Sequence, residues 1–100
     1  DKSFIVIDSS DLLKNPENLL RRWCKYLNIE YQSNMLRWKK GHYSTDGIWW
    51  EHWYNNIIST DRFKYFEKKN ISLPKEYELI YDEALYYYEE LYKLIEYKKD

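Results

Sequence analysis

The 100-residue chain has one cysteine, Cys24, and only two glycines and two prolines. A single cysteine excludes an internal disulfide and suits a reducing compartment, so a cytoplasmic location is expected. No apolar run reaches the 18 or so residues that a membrane-spanning helix needs, and no leader-type segment is present. The net charge of −1 leaves no bulk basic field, which argues against a nucleic-acid partner and requires any anion site to be local. Neither GxxxxGK[ST] nor GxGxxG occurs. His42 and His52 have no cysteine or carboxylate at ligand spacing, so no metal site is expected. Asp8-Ser9-Ser10-Asp11 has no histidine to activate a hydroxyl, so no catalytic residue is assigned within the chain.

Aromatic residues are plentiful: five tryptophans, twelve tyrosines and three phenylalanines. Four of the five tryptophans, both histidines and both glycines fall between Met35 and Tyr54. Within this stretch Arg37, Lys39 and Lys40 immediately precede Gly41. A glycine after a basic pair allows backbone to approach an anion closely, and lysine supplies a compact charge suited to phosphate. Gly47 and Trp49 follow, opening an Ile-Trp-Trp-x-x-Trp-Tyr run too aromatic for an ordinary exposed loop. Lys39, Lys40, Gly41, Gly47 and Trp49 are therefore the candidate ligand-binding residues. The bland alternative is a solvated basic turn beside an aromatic packing corner.

In chain order, Ser3 to Asp8 reads as a buried strand of parallel type, with four consecutive apolar residues from Phe4 to Ile7. Ser9 to Asp11 is expected to be an exit loop, with Leu12 and Leu13 docking back. Asn15-Pro16-Glu17 starts a helix whose apolar face is Leu19, Leu20, Trp23, Cys24 and Leu27, and Asn28 ends it. Ile48 to Ile58 is expected to be helical from a cap at Asp46 or Gly47. Phe63, Tyr65 and Phe66 form a small packing cluster, and Glu67 to Ser72 is a polar link. From Pro74 the four-three spacing of Tyr77, Tyr81, Ala84, Tyr88, Leu91 and Ile95 marks a long closing helix of about 25 residues. No internal boundary is visible. The apolar strand has no second strand to pair with, and the chain opens without methionine. Residues 1–100 are therefore expected to be one part of a larger domain.

These features resemble, in order, the C-terminal part of the P-loop sulfotransferase-like family. The carriers are Asp11-Leu12-Leu13-Lys14-Asn15-Pro16-Glu17, the Met35-Leu36-Arg37-Trp38-Lys39-Lys40-Gly41 block, and Asp46-Gly47-Ile48-Trp49 with His52-Trp53-Tyr54. Leu73-Pro74 with Tyr88, Leu91 and Tyr92 completes the set. The resemblance implies an α/β fold in three layers like that of P-loop NTPases, this chain being mostly helical with one strand. It implies binding of 3′-phosphoadenosine 5′-phosphosulfate and transfer of its sulfuryl group to a hydroxyl or amine acceptor. Lys39-Lys40-Gly41 and Gly47-Ile48-Trp49 stand in the order of a family motif that grips the nucleotide's 3′-phosphate. Lysine stands where that motif has arginine, and the interval between the glycines is longer. The family's 5′-phosphosulfate loop and base histidine are expected in an N-terminal half, outside this chain, which alone should be inactive. The alternative is a non-catalytic module whose tyrosine-striped helix docks a partner groove.

Overall fold

In a computed structural model, residues 4–67 and 69–98 are described, so Ser3 and Lys68 of the expected strand and link lie outside the description. Phe4 to Ile7 takes no regular secondary structure and pairs with no other segment, and no sheet forms among the described residues. This corrects the expected strand. β-structure needs a hydrogen-bonding neighbour, and local hydrophobicity cannot supply one.

The expected exit loop is instead helix α1 (Ser9–Lys14). Asp8 makes it so: its carboxylate accepts from the Ser10 N–H at 2.9 Å and from the Asp11 N–H at 3.3 Å. Those bonds satisfy amide donors that have no partner within the first helical turn. After Asn15, α2 (Pro16–Leu27) starts with proline at its first position. Asn15 gives no side-chain cap, and Glu17 instead binds Arg21 one turn on at 2.9 Å. Asn28 ends the helix in left-handed geometry at φ 57°, and the Ile29 N–H closes back onto the Cys24 carbonyl at 2.9 Å. Leu19 and Cys24 are buried, whereas Trp23 and Leu27 remain exposed. The Arg21 guanidinium lies 4.1 Å from the centre of the Tyr31 ring, which anchors the connector beneath α2.

A 3₁₀ turn (Ser33–Leu36) leads into the basic segment. The helix expected from Ile48 to Ile58 is two single turns, α3 (Trp50–Trp53) and α4 (Asn55–Ile58). Tyr54, at φ −105° and ψ 14°, ends one and begins the other. The following Asn55-Asn56 pair favours helix ends over interiors, which suits such a break. A second 3₁₀ turn (Lys75–Tyr77) precedes α5 (Glu78–Tyr92), shorter than the periodicity suggests. The helix tightens at its end, where Leu94 and Ile95 N–H groups bond three residues back. The tightening turns the chain so that Ile95 is fully buried.

Tyr97 then meets the start of the chain. Its hydroxyl accepts from the Asp8 N–H at 3.1 Å and donates to the Asp11 carboxylate at 2.9 Å. Lys98 pairs with the same Asp11 at 3.1 Å, and the Tyr88 hydroxyl donates to Asp8 Oδ2 at 2.6 Å. This clasp joins α1 to the end of α5. The tyrosine stripe of α5 is otherwise uncovered: Tyr81, Tyr88 and Leu91 are exposed, as is Tyr77 in the turn before it.

Candidate functional site

The basic segment is held by backbone bonds to a second strip of chain. Arg37 and Arg62 form an isolated antiparallel bridge. The Trp38 N–H donates to the Asp61 carbonyl at 3.0 Å, and the Gly41 N–H donates to the Ile58 carbonyl at 2.8 Å. Trp38 roots the segment by packing edge-on against Phe63, with ring centres 5.3 Å apart. Gly41 has φ +104°, outside the region an L-residue adopts without strain, while a Cβ there would meet nothing within 4 Å. Its contribution is therefore a backbone angle and an open face; its N–H is already engaged. Gly47 needs no unusual angle and is equally open.

Between the glycines, Tyr43 and Asp46 close the loop. The Tyr43 hydroxyl accepts from the Lys39 N–H at 2.9 Å and donates to the Lys39 carbonyl at 3.0 Å. The Tyr43 N–H donates to Asp46 Oδ2 at 2.7 Å, and the Asp46 N–H returns to the Tyr43 carbonyl at 2.9 Å. Asp46 thus fastens its own loop and does not cap α3, the role its position suggests. His42 stacks flat on Trp50, with ring centres 4.0 Å apart and planes 3° from parallel.

The Lys39 and Lys40 ammonium groups are exposed and make no hydrogen bond or ion pair among the described residues. Asp61 is a nearby acid, but Arg62 Nε holds it at 3.0 Å. That hydrogen bond, with the Arg62 and Lys40 charges in support, keeps the Asp61 carboxyl below its ordinary range. Arg62 therefore answers the carboxylate that would otherwise compete for Lys40. Two cations on a fixed turn can attract a multiply charged anion such as a phosphate monoester.

The structure brings Lys39, Lys40 and Gly41 together on one strip, with Gly47 and Trp49 at the far end of the loop. Trp49 is 62% exposed and shares a hollow of about 410 Å³ with Trp53 and Tyr54. Trp50 is the ring that stacks on the loop, through His42, while the Trp49 ring faces His52. Sequence reasoning missed Tyr43, His42 and Asp61. The four-residue spacing of Lys39 and Tyr43 and the Tyr43-x-x-Asp46 turn were available signals; the Asp61 and Trp50 contacts left none.

The family model described as a sulfotransferase domain matches residues 2–92. Branched-chain-amino-acid aminotransferase-like protein 1 of Arabidopsis thaliana is 38% identical over 72 residues, covering 72% of this chain and 12% of that protein. Its counterpart, protein 2 of the same plant, is 33% identical over 69 residues, covering 69% of this chain and again 12% of the relative. The chain thus spans about an eighth of the length of these curated relatives. No solved structure matches it.

Proposed function

Because this chain belongs to the sulfotransferase domain family, we propose that it forms the 3′-phosphate side of a site for 3′-phosphoadenosine 5′-phosphosulfate. Residues 1–100 are then the C-terminal segment of one domain of P-loop NTPase-like α/β fold. An N-terminal half supplies the sheet, the 5′-phosphosulfate loop and the reacting groups. The donor brings an activated sulfuryl group for a hydroxyl or amine acceptor, and the residues here bind and orient its nucleotide end.

The observation that carries this reading is the pair of unengaged ammonium groups, Lys39 and Lys40, on a turn fixed by Gly41 and by Tyr43. Gly47 contributes close backbone approach, and Trp49 offers an aromatic face for packing or stacking. Gly41 serves by shaping the turn, because its N–H is bonded to Ile58. The aminotransferase in the relatives' names is not carried to this chain, since the match covers so little of each. No described helix is long and apolar enough to cross a membrane.

The test is calorimetric titration of the complete protein with 3′-phosphoadenosine 5′-phosphate. Lys40→Ala should weaken binding by about 1–3 kcal/mol, the scale of a hydrogen bond to a charged group. Unchanged affinity overturns the assignment. One observation favours a second reading: the apolar side of α5 is bare, with Leu79 84% and Ile80 67% exposed. A folded complete protein that binds no such nucleotide would shift the assignment to a helical module docking a partner groove through α5.

A further inference from the structure

We infer that Tyr43 is the positioning residue of this anion site, a conclusion that rests on the phosphate reading above. Its single hydroxyl engages both polar backbone groups of Lys39, accepting at 2.9 Å from the N–H and donating at 3.0 Å to the carbonyl. The residue that carries the first candidate cation is thereby held on both sides of its Cα. Lys40 is fixed from the other direction, because the next residue, Gly41, bonds to Ile58. Both lysines therefore project from a backbone with its two ends tied.

The clamp is itself fastened. Asp46 accepts the Tyr43 N–H and donates its own N–H to the Tyr43 carbonyl, which fixes the base of the ring. Tyr43 is 45% exposed and stacks on no other ring among the described residues, so its hydroxyl bonds, and not core packing, define its role. The physical gain is preorganisation. Two long, flexible lysines lose side-chain freedom on gripping an anion, and a rigid backbone beneath them removes a further cost of ordering. The longer interval between Gly41 and Gly47 supplies Asp46, the residue that fastens the Tyr43 backbone.

The discriminating measurement is a ratio of affinities in the complete protein, for 3′-phosphoadenosine 5′-phosphate against adenosine 5′-phosphate. The two probes differ by the 3′-phosphate alone. Tyr43→Phe keeps the ring and deletes both hydroxyl bonds. It should lower the ratio about fivefold, the scale of losing one or two ordinary hydrogen bonds, while adenosine 5′-phosphate binds as before. Asp46→Ala should move the ratio the same way through the fastening, and it decides the matter if Tyr43→Phe does not fold. An unchanged ratio overturns the inference, and so does an equal loss for both nucleotides, which signals general damage. Lys39→Ala and Lys40→Ala separate the two levels. If they lower the ratio and Tyr43→Phe does not, only the positioning role fails. If they too leave it unchanged, the phosphate assignment itself has failed.

Discussion

At the scale of single residues, the two glycines do different things. Gly41 sits at φ +104° in open space, so an added methyl meets no atom yet forces a strained backbone. Gly41→Ala should cost about 1–2 kcal/mol. Gly47 carries no such angle, and Gly47→Ala should change stability by less than about 0.5 kcal/mol. Urea unfolding midpoints of the complete protein compare the two; equal losses would contradict the backbone argument. Tyr88 offers a titration test. Its hydrogen bond to the Asp8 carboxylate, helped by some loss of solvent and by the negative charge, pushes the phenol up to about 12. A raised pKa means the folded state favours the protonated phenol. The link's contribution is complete below the ordinary value near 10 and is lost as pH rises from there through about 12. Following tyrosinate absorbance, Tyr88→Phe should delete a late-titrating phenol. Loss of one that ionises near 10 would contradict the bond.

At the scale of elements, what could be read in advance was what depends on neighbours in sequence. α2 was legible because Pro16, the apolar spacing of Leu19 to Cys24 and the stop at Asn28 all act within a turn or two of themselves. α1 was missed because Asp8 reads equally as a turn residue and as a cap, and only its bonds to Ser10 and Asp11 decide between them. The strand failed, and the helix after Ile48 split, for a related reason: pairing partners and the fate of Tyr54 are set by what lies across space. In the site, the basic run and the glycines were plain, whereas the Arg62 ion pair that answers Asp61 was not. The α1 cap is testable. Asp8→Ala removes its two backbone bonds and the Tyr88 contact, and should cost about 1–2 kcal/mol by thermal unfolding of the complete protein; Asp8→Asn should recover part of it. Equal stability of all three would show that α1 needs no cap. Asp61→Asn should leave Arg62 without its acid and Lys40 without a nearby negative charge. Phosphate-bearing nucleotide should then bind more tightly, by a factor of two to three or so at low salt, and less distinctly as salt is added.

At the scale of the molecule, the structure is open. Its radius of gyration is 16.8 Å, against roughly 13 Å for a compact chain of about this length. Only Leu19, Cys24 and Ile95 are buried among the apolar residues described. So little burial cannot offset the conformational entropy of a hundred residues. The isolated chain should therefore bind a hydrophobic dye and melt without a cooperative transition; a sharp two-state melt would show that it folds alone. The clasp between Asp8 and Tyr97, 89 residues apart in sequence, also carries a timetable. During synthesis at roughly 5–20 residues per second, Asp8 emerges several seconds or more before Tyr97 exists. For that interval α1 has its cap but not its fastening. The first helix of this chain is thus provisional until nearly the last residue described has been made.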